Sequence, residues 1–238
     1  CNPSQSLSKS ETSTSAPLRS PNAPPQTHAG IFLFTSQSMA QVNLADIEGG
    51  EIKALTENPD GVSCPAFSPN GNRIAFCSLQ DGANRLYTIA SDGSDQKPVT
   101  NKIAGCGCST DAHLSWSPDG QWILLPINED PKTQQNYDLF AVSVDGEKVI
   151  NLTGSPQRYG GVIWNPDSKS VLFSGQTDGK NDIYRVSIKD QKITPLTSTP
   201  IIGAATYWSP DGQHLLLFAD SGDGNFDIFI LKAGDKAL

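Results

Sequence analysis

The sequence predicts an all-β fold assembled from repeats, and three observations carry that prediction. A ten-residue phrase recurs as FSPNGNRIAF at 67–76, WSPDGQWILL at 116–125, WNPDSKSVLF at 164–173 and WSPDGQHLLL at 208–217, at intervals of 49, 48 and 44 residues. An aromatic marker in an apolar triplet (Tyr87, Phe140, Tyr184, Phe229) is followed in the first three cases, always 13 residues later, by Thr100, Thr153 and Thr197. Each unit holds four short apolar runs separated by Gly, Asp, Pro and Asn, with no apolar residues at helical spacing. Four antiparallel strands at a period of about 45 residues are the signature of a β-propeller blade.

The elements within a unit follow from local chemistry. The phrase is a turn: Pro presets φ, Asp or Asn follows, and Gly closes it where φ is often positive. Its leading aromatic ends strand A, and the apolar run after it is strand B. The triplet around the marker is strand C, and a Leu-Thr or Val-Thr pair closes strand D. Constant spacing between marker and Thr makes C and D a rigid hairpin. The same count taken back from Thr56 lands on Asn43 in AQVNL, preceded by GIFLF at 30–34. A fifth unit therefore precedes the other four without their opening phrase. The expectation is five blades of four-stranded antiparallel sheets over residues 30–238. The first blade lacks strand A and the last stops short of strand D, so the terminal blades are three-stranded, or residues 22–29 lend a strand at the closure.

Residues 1–29 read differently. After Cys1 come 28 residues with seven Ser, five Pro, no aromatic and no Val or Ile. Such a stretch cannot bury enough surface to fold and is expected to be a disordered tether. A chain starting with Cys ahead of a Ser/Pro/Thr-rich tether is similar to a bacterial lipoprotein after signal-peptide removal, with Cys1 as the lipid attachment. Seventeen basic against twenty-five acidic residues give a net charge of −8, with no basic run. Nucleic acid is thus an unsuitable partner. No run of about 18 apolar residues occurs, so membrane contact is expected only through the lipid.

The aromatic-Ser-Pro-Asp-Gly phrase, the Asp-Ile-Tyr type triplet and the closing Leu-Thr together resemble the TolB-type propeller repeat, a relative of the WD repeat. The resemblance covers about residues 30–238. It implies an exported bacterial protein whose propeller is a binding platform. On this basis the chain is expected to be a monomeric, non-catalytic, lipid-anchored module of the cell envelope, periplasmic or at the cell surface, that binds envelope proteins. A carbohydrate-binding or carbohydrate-active propeller is the alternative.

Variation is concentrated on one face of the propeller. From closing Thr to the next aromatic the count is 11 after Thr56, Thr153 and Thr197 but 16 after Thr100. From aromatic to marker it is 20, 20 and 21 in three blades but 24 in the blade beginning at Trp116. Both long loops belong to one blade and should lie side by side, where function resides on rigid scaffolds. The bland reading is neutral drift. The sharper one is a binding face from residues 101–115 and 126–137, with Cys106, Cys108, His113, Asn128, Glu129, Asp130 and Tyr137, joined by Tyr159 of the next loop.

No catalytic motif is present: a GxSxG elbow, an HExxH helix and a GxGxxG loop are all missing. No cofactor is expected. His214 follows a turn and alternates with core residues, as a solvated strand residue would. Asp138, Asp182 and Asp227 precede the marker in three blades, and a position used once per blade points to structure. DSGDGNFD at 220–227 lacks the alternate-residue spacing of a calcium loop. Four cysteines besides Cys1 allow three pairings in an oxidising compartment. A hairpin pairing Ser68 with Arg73 would, by the same count, set Cys64 opposite Cys77, close enough for a disulfide. The competing expectation is a soft-metal site from Cys106, Cys108 and His113.

Overall fold

The computed structural model describes residues 31–35, 40–46, 51–80, 82–107, 113–128, 136–177, 180–196, 203–220 and 224–233. Over these residues the chain forms five antiparallel sheets and no helix. Blade 1 is β1 (Ile31–Thr35), β2 (Val42–Asp46) and β3 (Ile52–Ala54). Blade 2 is β4 (Val62–Phe67), β5 (Arg73–Gln80), β6 (Ala83–Ala90) and β7 (Lys97–Pro98). Blade 3 is β8 (Ser115–Trp116), β9 (Trp122–Ile127), β10 (Asp138–Ser143) and β11 (Val149–Asn151). Blade 4 is β12 (Gly160–Trp164), β13 (Ser170–Thr177), β14 (Lys180–Ser187) and β15 (Ile193–Pro195). Blade 5 is β16 (Gly203–Trp208), β17 (His214–Asp220) and β18 (Phe226–Lys232). The all-β propeller fold and the three-stranded terminal blades agree with the sequence.

The repeated phrase forms the turn its residues dictate. In blade 3 the Gly120 amide donates to the Ser117 carbonyl (2.8 Å) with Gly120 at φ +71°. The Ser117 hydroxyl donates to Asp119 (2.6 Å) and accepts from the Trp122 amide (2.9 Å), while Asp119 accepts from the Gln121 amide (3.0 Å). Ser209 and Asp211 repeat this arrangement in blade 5. The leading Trp of the phrase reaches back one blade: Trp116 Nε1 donates to the Ala66 carbonyl (3.0 Å) and Trp164 Nε1 to that of Ser115 (3.4 Å).

Because side chains alternate along a strand, each blade has a trailing face toward its predecessor and a leading face toward its successor. Blade 2 packs Ile74, Phe76, Tyr87 and Ile89 against Val42 and Leu55 of blade 1. Its opposite face sets Ala75, Cys77 and Leu86 against Trp116, Ile123 and Phe140 of blade 3. Leu124, Leu139 and Ala141 then meet Tyr159, Phe173 and Tyr184 of blade 4. Leu172 and Ile183 of blade 4 meet Leu215, Leu217 and Leu231 of blade 5. Four cores join five blades, and among the described residues no fifth core joins blade 5 to blade 1. The unclosed ends show it: Phe218, Ile228 and Ile230 on the leading face of blade 5 are 46, 69 and 68 % exposed.

Candidate functional site

The insert before blade 3 is sewn to both of its neighbours. Cys77 in β5 is disulfide-bonded to Cys106, with Cα atoms 5.7 Å apart. The Gly105 and Cys106 amides donate to the Asn84 carbonyl (2.9 and 3.3 Å), and Cys106 bridges Ile127 at the end of β9. Gly105 must be glycine: its φ is +85°, and a Cβ there would lie 2.6 Å from the Asn128 carbonyl oxygen. The first long loop therefore lies directly against the start of the second, as the spacing predicted. Glu129, Asp130 and Cys108 lie outside the described residues, as do Cys1 and the tether. His113 is exposed.

The disulfide corrects the expected pairing of Cys64 with Cys77. Phe67 pairs with Ile74 and Ala66 with Ala75, but the next matched pair is Ser63 with Cys77, one residue out of step. A β-bulge in β4 absorbs the extra residue, and Cys64 sits within it at φ +59°. Counting from the turn fails at that point, and Cys64 is no longer opposite Cys77. Cys64 is itself disulfide-bonded. The soft-metal expectation falls for the same reason, since the Cys106 sulfur is held in a disulfide and cannot serve as a thiolate ligand.

Tyr137 and Tyr159 also depart from expectation, being buried at 4 and 1 % exposure rather than presented on a surface. The Tyr137 hydroxyl donates to the Tyr159 carbonyl, and the Tyr159 hydroxyl donates to that of Ser155. Their rings meet edge to face at 5.9 Å, and Tyr159 meets Phe173 at 5.2 Å. Burial pushes the Tyr159 phenol above its ordinary pKa, partly opposed by its hydrogen bonds. These rings are the floor beneath the loops. Gln157, which the sequence did not single out, completes that floor: it pairs with Tyr137 through the backbone, and its amide donates to the Gln176 carbonyl (2.6 Å) and accepts from the Gln176 N–H (2.9 Å). It occurs in one blade only, so no repeat marks it.

The recurrent carboxylate has a structural role in blade 3. Asp138 is buried and accepts from the Thr153 hydroxyl (2.7 Å), the Ser155 amide (2.9 Å) and the Asn151 side chain (3.0 Å). The Leu139 amide donates to the Thr153 hydroxyl oxygen (3.1 Å), and the Leu152 amide to the Leu139 carbonyl (2.8 Å). A Leu-Thr pair thus clasps both backbone groups of the strand C residue before the marker. Blade 1 does the same, with Val42 held by Thr56 (2.9 Å) and Leu55 (2.8 Å).

Comparison with known proteins agrees with this architecture. Residues 4–160 match the family model described as the TolB β-propeller domain. The Tol-Pal system protein TolB of Alcanivorax borkumensis is 26 % identical over 90 residues, 38 % of this chain and 20 % of that protein. The uncharacterized peptidase YuxL of Bacillus subtilis is 30 % identical over 137 residues, 57 % of this chain and 18 % of that protein. Among solved structures, TolB from Acinetobacter baumannii superimposes with a TM-score of 0.59 at 20 % identity, covering 85 % of this chain and 49 % of that one. The chain spans about a fifth of the length of these curated relatives and about half of the TolB structure. A repeat phrase, a sheet order and a family match over most of the chain agree, and the chain belongs to the TolB β-propeller family.

Proposed function

We propose that the chain is a non-catalytic, lipid-anchored binding platform exported to the cell envelope, where blade 3 and its two long loops engage an envelope protein. The observation supporting this is the asymmetry of the array. Turn length is nearly constant from blade to blade, whereas both long loops belong to one blade, one of them fastened to blade 2 by Cys77–Cys106. A fastened loop loses less conformational freedom when a partner binds. The name of the Alcanivorax relative, a Tol-Pal system protein, fits an envelope setting.

Crosslinking in the native envelope, comparing the chain with a variant whose 126–137 loop is cut to the length found in blade 4, tests the proposal. Loss of the captured protein in the shortened variant is expected, and unchanged capture overturns the assignment to blade 3. Turnover of peptides or polysaccharides by the purified chain would overturn its non-catalytic part. The carbohydrate-binding alternative draws on Tyr207, 74 % exposed on the innermost strand of blade 5. A glycan array separates the two readings.

A further inference from the structure

Blade 5 repeats the receiving half of the Leu-Thr clasp without its donor. In the four preceding blades the amide before the closing Thr donates to the strand C residue before the marker: Leu55 to Val42 (2.8 Å), Val99 to Leu86 (2.9 Å), Leu152 to Leu139 (2.8 Å) and Leu196 to Ile183 (2.8 Å). In blade 5 the corresponding residue is Ile228, next to the marker Phe229, and it follows Asp227 as Leu139 follows Asp138. Yet the sheet ends at β18, and among the described residues no strand pairs with its outer edge. Asp227 is exposed, where Asp138 is buried under its clasp. Ile228 and Ile230 are more than two-thirds exposed, where Ile183 and Leu139 are fully buried.

We propose that the outer edge of β18 accepts a fourth strand from another polypeptide, an extended segment of aliphatic or β-branched residues ending in Leu-Thr. The ligand chemistry is defined by the chain's own four examples. Backbone pairing along a free edge supplies affinity, and the side chains of the added strand supply selectivity. The incoming Leu amide donates to the Ile228 carbonyl. The incoming Thr hydroxyl accepts from the Ile228 amide and donates to Asp227. The Leu side chain covers Ile228, as Leu196 packs with Leu172 and Ile183 in blade 4. This deepens the binding-platform reading and rests on it, but assigns the partner a second contact away from the blade 3 loops.

The test uses the full chain and a fluorescent synthetic peptide with the sequence of residues 148–155, KVINLTGS, followed by anisotropy. Saturable binding is expected. It should weaken about tenfold for Asp227→Ala or for a peptide with Val in place of Thr, because each loses a charge-assisted hydrogen bond. A peptide N-methylated at its Leu should not bind, and amide exchange at Ile228 and Ile230 should slow when the unmodified peptide is present. Asp227 is exposed, so the variant is expected to fold, which an unchanged thermal transition verifies. Absence of saturable binding, or equal binding by the Asp227→Ala chain or the N-methylated peptide, overturns the proposal. Self-association of the chain through this edge in place of peptide binding would also overturn the assignment to another polypeptide. If the peptide fails while envelope capture still depends on the 126–137 loop, this inference falls and the binding-platform reading stands.

Discussion

A single buried carboxylate organises the junction between strands C and D of blade 3. Removing it leaves three donors with no acceptor, the Thr153 hydroxyl, the Asn151 amide and the Ser155 N–H. Asp138→Ala is therefore expected to lower stability by about 2–3 kcal/mol in urea unfolding. Glycines make a sharper contrast. Gly146 has φ +75°, and a Cβ on it would fall 1.8 Å from the Val99 carbonyl oxygen, whereas Gly154 has φ +60° and open space around it. Gly154→Ala should cost about 1 kcal/mol for the left-handed backbone alone. Gly146→Ala should cost at least 3 kcal/mol, because the obstructing atom is backbone and cannot swing aside. The turn carboxylates carry a pH dependence. Hydrogen bonds from the Ser143 and Ser209 hydroxyls, then from backbone amides, hold Asp145 and Asp211 below the ordinary Asp value. A carboxylate whose pKa is lower folded than unfolded stabilises above its unfolded pKa, and the contribution is lost as pH falls through the folded one. Ser143→Ala should raise the Asp145 pKa in an NMR titration and make stability below about pH 4 less dependent on that group.

Strand pairs, not single residues, decided where sequence reading succeeded. The turn phrase and the 13-residue interval from marker to Thr are written locally, in Pro, Gly and a hydroxyl that must reach one particular amide, so blade number and strand order were legible. The bulge in β4 was not. Blade 4 has a register shift at the same place, between Gly160 and Ile163, with Gly161 at φ +54°, a residue suited to the left-handed region. In blade 2 that position is Cys64, whose type announces no such conformation. One unsignalled residue moved Cys77 out of register and led to the wrong disulfide. Tyr137 and Tyr159 misled for a related reason: they sit beside variable loops in the chain, but a buried aromatic ladder runs beneath those loops. Opening the Cys77–Cys106 bridge frees a 29-residue loop in the unfolded chain. The loop-entropy relation gives about 3–4 kcal/mol for that length, so Cys106→Ser should lower the unfolding free energy by that order under non-reducing conditions. Unchanged stability would mean that the insert is held mainly by Asn84 and Ile127.

Five blades joined by four cores behave as a one-dimensional array, in which each unit is stabilised by itself and by its neighbours. Interior blades have two packed faces and terminal blades one, so stability should decline toward both ends. Native-state hydrogen exchange should show blades 1 and 5 opening first, with β9, β10, β13 and β14 exchanging last. Uniform protection across all five sheets would overturn the linear-array description. The covalent bridge divides that array mechanically as well as energetically. If the chain is loaded along its length, extension passes through the backbone up to Cys77, crosses the sulfur–sulfur bond and resumes at Cys106. The 29 residues between them, including β6 and β7, carry no tension. At about 3.3–3.6 Å per extended residue, roughly 100 Å of contour length is withheld until the bond is reduced. In a single-molecule pulling trace, reductant should lengthen the fully extended chain by about that amount, so that the state of one disulfide sets how far a loaded molecule can stretch.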